Sequence, residues 1–137
     1  TPIQRDVMAI VHTHPGGTTS RTHLDPRAVL GDRDAAFNAG IHHPGIRYNI
    51  GRPDNDSGEF TLWLAHPATN SWAAVDYEPG TAEFDVEQHG PRHLWNEIAD
   101  AHHWWTNNDS PPRTRYGLTA TPHSHHFWLD TSRNVIQ

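Results

Sequence analysis

Ten glycines and eleven prolines punctuate 137 residues. This punctuation confines the chain to short elements, because proline cannot donate a backbone hydrogen bond and glycine weakens a helix or strand interior. A long helical bundle is excluded, and a loop-rich domain is expected. Only 34% of the residues are hydrophobic and mean hydropathy is −0.77, so the core must be modest. A chain this long buries roughly two-thirds of its unfolded surface as one unit, and residues 1–137 are expected to form a single domain. No stretch has the length and apolarity of a membrane span, and no charged-then-apolar leader is visible, so a soluble chain with no membrane partner is expected.

Charge and cysteine content narrow the chemistry. All ten basic residues are arginine, against sixteen acidic ones, for a formal charge of −6. With no basic run to gather a polyanion, nucleic acid is not an expected general partner. Cysteine is absent. A metal ion would therefore have to sit on His, Asp or Glu, and thirteen histidines are on hand.

Along the chain, VMAIV (7–11) has the length and β-branching of a buried strand, ended by Pro15 and Gly16-Gly17. Asp25-Pro26 is an N-cap followed by proline in the first turn, and with Gly40 as a stop it predicts a helix over 26–39. Asp32, Arg33 and Asp34 would face solvent on it. IRYNI (46–50), EFTLWLAH (59–66) and SWAAVDYE (71–78) predict strands, the last two joined as a hairpin through Pro67-Ala68-Thr69-Asn70. In 93–105, Leu94, Ile98, Ala101 and Trp105 recur at helical spacing, and NNDSPP breaks the pattern. One or two further strands are expected around Thr121-Pro122.

The His12-Thr13-His14 pair closes the first predicted strand. Side chains two apart in a strand share a face, so His12 and His14 can aim two imidazoles at one point. Zinc at a catalytic site takes three protein ligands and leaves a fourth position to water. Asp25, oriented by the backbone N–H groups of a helix start, is the candidate third ligand.

The arrangement His12-x-His14-Pro15, six residues, Thr22, two residues, Asp25 resembles the motif of the JAMM/MPN metalloprotease family, His-x-His-Pro-x6-Ser-x2-Asp. Every spacing agrees, and Thr22 keeps the hydroxyl of the family's serine. The resemblance covers about residues 7–78, leaving 79–137 as a divergent Trp- and His-rich extension. It implies an α+β (α/β) fold, a mixed sheet flanked by helices in the layering shared with cytidine deaminases. It also implies a Zn2+ cofactor on His12, His14 and Asp25, Thr22 as a catalytic oxyanion-holding residue, and hydrolysis of a peptide or isopeptide bond. The expected partner is a protein or peptide substrate.

Family members of this kind occur as warheads of secreted bacterial toxins. That implies secretion or delivery into a target cell, and an immunity or inhibitor protein as a further partner. The family's general-base Glu precedes the histidine pair, whereas residues 1–11 contain only Asp6 as an acid. Together with the missing initial methionine, this leads us to expect a fragment whose Glu lies on an upstream segment of the parent protein. Glu59, Glu78, Glu83, Glu87 and Glu97 are the internal alternatives.

Two other functions fit the sequence. One is a different metal-dependent hydrolase, such as a nuclease toxin that also uses His123 and His125 of the His123-Ser124-His125-His126 cluster. The other is a metal-stabilised binding module without activity. Of the remaining histidines, His42 and His43 are expected in a surface turn, one of His102 and His103 faces the core, and His66 and His89 carry no usable pattern. The six tryptophans are expected to be core anchors in the main, with Trp104-Trp105 as the alternative partner-binding pair.

Overall fold

The computed structural model describes residues 17–53, 55–131 and 133–136. The expected strand at 7–11, with His12 and His14 after it, lies outside the described residues. The elements in order are strand β1 (Thr18–Thr22), helices α1 (Pro26–Leu30) and α2 (Arg33–His42), and strands β2 (Arg47–Gly51), β3 (Phe60–His66), β4 (Ser71–Tyr77) and β5 (Phe84–His89). Helix α3 (Leu94–Asn107) and the strand pair β6 (Tyr116–Ala120) and β7 (His125–Leu129) follow. The protein is α+β. Its main sheet has the order β1-β5-β4-β3-β2, and each described pairing is antiparallel, where a mixed sheet was expected.

The region predicted as one helix over 26–39 is two. Asp25 caps α1 and Pro26 occupies its first turn, but Gly31 ends it. A Cβ at Gly31 would stand 2.4 Å from the Arg27 carbonyl oxygen, so the chain bends at a residue that lacks one. Asp32 then starts α2, its carboxylate accepting from the Asp34 and Ala35 amides at 2.8 and 3.1 Å. Asp32 is thus a cap and not an idle surface charge. Gly40 does not stop α2, which runs on to His42; Pro44 disfavours helical backbone at His43 and ends it.

The β3–β4 hairpin forms where expected, through a 3₁₀ turn at Pro67–Thr69 with Asn70 left-handed at φ 52°. β5 was not foreseen. Its FDVEQH sequence alternates buried Phe84, Val86 and Gln88 with exposed Asp85 and Glu87, and this strand signal is masked by its polar content. β1 was also not foreseen, since TTSRT has no apolar residue and only Thr22 is half-buried.

The two faces of the sheet differ. Leu62, Leu64, Ala73, Val75 and Val86 point to one face and meet Val29, Leu30 and Ala39 of the first two helices and Leu94, Trp95 and Ile98 of α3 in a single core. Full burial of each large aliphatic side chain contributes about 1.5–3 kcal/mol. All of the α3 residues predicted at helical spacing, Leu94, Ile98, Ala101 and Trp105, are buried. The α3 start is tied to β5, because Gln88 Oε1 accepts from the Trp95 amide at 2.9 Å. The opposite face carries a smaller cluster made wholly of strand residues: Ala65, Trp72 and Ala74 with Trp63 against them.

The β6–β7 hairpin attaches to α2. Tyr116 Oη donates to Asn38 Oδ1 at 2.9 Å, and Asn38 Nδ2 donates to the Ala101 carbonyl of α3 at 2.9 Å. The Arg113 backbone and side chain both donate to Asp34 at 3.1 Å. Two strands therefore flank Thr121-Pro122. No described helix is long and apolar enough to cross a membrane.

Candidate metal centre at the start of helix α1

β1 delivers the motif's second half. It pairs with β5 from Thr18↔Gln88 to Thr22↔Phe84, which places Thr22 on the core face beside buried Phe84 and sends Arg21 to the other face beside Asp85. Just before it, Gly17 lies against His89 so closely that a Cβ would come within 2.4 Å of the ring. Only glycine fits there. His89 is itself buried, stacked on Trp72 at 4.2 Å and 7°, with Nε2 2.9 Å from Glu87 Oε1.

The turn from β1 to α1 holds both described motif residues. Thr22 Oγ1 accepts from the Leu24 amide at 3.2 Å, closing a local turn that sets the approach to the helix. Asp25 Oδ1 accepts from the Arg27 amide at 2.8 Å. The Arg27 side chain also clasps it, with Nη2 and Nε at 2.8 and 3.2 Å from Oδ2. The guanidinium in turn lies over the Tyr77 ring, 4.5 Å from its centroid. Asp25 remains 31% exposed at its side chain. The Arg27 guanidinium beside it holds its carboxyl below the usual carboxylate range, against a smaller opposing effect of burial.

The donor set suits zinc. Two imidazole nitrogens and one ionised carboxylate are its habitual ligands, and a carboxylate has about four lone-pair directions, so the contacts with Arg27 leave Asp25 room for one more partner. An open hollow of about 570 Å³ beside Asp25 is lined also by Arg27, Asp32, His102 and Trp105. None of the five internal candidates for the base lines it. Glu83 sits 3.3 Å from His23 and 3.4 Å from Arg21 on the face away from Thr22. Glu97 is held by Arg92 and by His43 at 3.3 Å, and Glu87 by His89. Glu59 and Glu78 line a different hollow, on β3 and β4.

His123, His125 and His126 are exposed on the β6–β7 hairpin, which docks on α2 and not at the β1–α1 turn; His126 Nε2 meets only Ser124 Oγ, at 3.2 Å, among contacts with described residues. No three His, Asp or Glu side chains among the described residues stand together as a metal-binding group; both motif histidines lie outside them.

Two histidines, His89 and His42, matter more than the sequence suggested, and the expected core-facing member of the His102-His103 pair is identified. His89 forms the stack under Gly17. His42, expected in a surface turn, instead ends α2 against the Trp104 ring at 4.7 Å, with its Nε2 buried and without a hydrogen-bond partner among the described residues. His102 is the core-facing member of its pair and His103 the exposed one. The tryptophans that pack on them, Trp104 on His42 and Trp72 on His89, come from distant segments, so no local pattern announces these contacts. Trp72, Trp95 and Trp105 are buried and Trp63, Trp104 and Trp128 half-buried, so the tryptophans divide between core and surface. No family model, curated protein or solved structure matches the chain.

Proposed function

We propose that the protein is a zinc-dependent metallopeptidase or isopeptidase of the JAMM/MPN type, with His12, His14 and Asp25 holding the ion and the family's layering around the sheet. The observation that supports this most is the state of Asp25. It stands at a helix start three residues after Thr22, part-exposed and beside an open hollow, which supports a ligand role. When bound, zinc supplies a Lewis acid that polarises the scissile carbonyl.

The described side chains have definable tasks. Arg27 fixes the Asp25 rotamer and keeps the carboxylate charged. Thr22 uses its oxygen as acceptor for Leu24, so its hydroxyl hydrogen stays available to donate to an oxyanion developing on the substrate. Gly17 lets the chain after the histidines pass flush over His89, which fixes where β1 begins.

Metal content decides the proposal. Elemental analysis should find about one zinc per chain, and most of it should be lost in His12→Ala and in His14→Ala. Stoichiometric zinc retained by the double variant, or none in the native protein, overturns the assignment. Hydrolysis of a peptide library by the zinc-loaded chain tests the reaction class, with a nucleic acid substrate as control.

A further inference from the structure

We propose that a two-part trough around one end of the sheet binds an extended peptide carrying an apolar side chain next to a lysine or arginine. The first part is a hollow of about 470 Å³ between α1 and the strand ends, whose apolar lining includes Leu30, Ile50, Leu62 and Pro79. The second is a hollow of about 580 Å³ on the opposite face of the sheet, lined among others by Glu59, Trp63, Asp76, Glu78 and Asp85. Both are lined also by Arg52, Phe60 and Tyr77. Phe60 and Tyr77 are cross-strand neighbours stacked at 4.7 Å and 21°, and they form the saddle between the two parts. Each hollow falls within the size range of small-ligand pockets, roughly 300–1,000 Å³.

Charge and shape select the occupant. Four carboxylates line the second hollow, and Arg52 is the one cationic side chain among its described lining. Asp85 is paired with Arg21 at 3.2 Å and Asp76 accepts from Thr61 at 2.7 Å, but Glu59 and Glu78 have no cationic partner among the described residues. The half-buried Trp63 ring beside them offers a face for a cation. A ligand anchored there by a cationic side chain and crossing the saddle reaches the apolar hollow on the other side. Ile50, 37% exposed, lines that hollow and gains from being covered. A compact ion would fill one part and leave the other empty, whereas an extended peptide fills both.

Shape and charge carry this site without the metal, so it stands or falls apart from the zinc assignment. The test is fluorescence anisotropy in excess EDTA with fluorescein-labelled hexapeptides: alternating lysine and leucine, alternating glutamate and leucine, and alternating lysine and glycine. The lysine–leucine peptide should bind about tenfold or more tightly than either of the others. Glu59→Gln with Glu78→Gln, both at exposed positions, should weaken it about tenfold while the thermal melt is unchanged, and Ile50→Asp should weaken it by a similar factor. Equal affinity for the three peptides, no binding of any of them, or an affinity untouched by the Glu59/Glu78 double variant overturns the proposal.

Discussion

Asp25 is an N-cap and, in the proposed function, a zinc ligand, and substitution can separate the two. As an N-cap it accepts a backbone amide, which asparagine can also do; as a proposed zinc ligand it needs a negative charge, which asparagine lacks. Asp25→Asn should therefore melt within a degree or two of the native protein in the absence of metal, yet hold little zinc. Asp25→Ala should lose zinc and also about 1 kcal/mol of stability. If Asn and Ala variants retain native zinc, the residue is a cap alone. Thr22 allows a parallel division: Thr22→Val should leave zinc bound but lower turnover on the order of 10²–10³, while Thr22→Ser stays near native. Equal turnover by the Val and Thr forms, measured on one peptide substrate, would leave the hydroxyl only its bond to Leu24. Capping chemistry acts over a few residues, so the Asp25 cap was legible in the sequence. The clasp of Arg27 on Asp25 was not, because a guanidinium two positions on could as well have pointed to solvent. His89 was illegible for a different reason, since it is defined by Gly17 and Trp72, which only the sheet brings to it.

At the scale of elements, the seam between α2 and α3 is where acidity should act first. Burial, more than the neighbouring His43 and His103, pushes His42 and His102 below the ordinary histidine value of 6.5; Asp32 opposes this weakly at His102. Buried His42 Nε2 and His102 Nδ1, which have no hydrogen-bond partner among the described residues, agree with the neutral form. With the folded value depressed, the unfolded chain takes up protons first. The stability from these rings is complete above about 6.5 and is lost as pH falls through the lower folded values. Melting temperature should thus drop between pH 7.5 and 5.5, and a His42→Leu, His102→Leu variant should drop less; identical slopes would acquit both rings. Glu97 acts in a separate window. Arg92 holds it below its ordinary 4.5, so its contribution is present above 4.5 and lost as pH falls beneath that. Among elements, α3 was readable because its four buried positions repeat at helical spacing. The α1–α2 break was not, because Gly31 and Asp32 look like ordinary surface residues until Asp32 is seen capping a new helix.

For the whole molecule, the part that resembles nothing is as structural as the part that carries the motif. β1 has β5 as its sole pairing among the described strands, and α3 closes the core over β3, β4 and β5. Residues 1–78 alone should consequently show no cooperative melt by circular dichroism and bind no zinc stoichiometrically, although they contain the entire motif. A folded, zinc-binding 1–78 would mean that β1 has another anchor. The sequence suggested this division because motif spacing is local, whereas a sheet order that seats strand five next to strand one is a property of the closed fold. That order also has a consequence in time. β2 to β5 are joined as successive hairpins, while the edge pairing brings together Arg21 and Glu83, 62 positions apart. Contacts between near neighbours in the chain are the quicker to form, because a long loop costs more entropy to close. The meander is therefore expected to assemble before the strand leading to Asp25 joins it. The amides of β1 should exchange with deuterium ahead of those in central β4, so the segment proposed to hold the metal would rest on the longest loop closure among the described strand pairings.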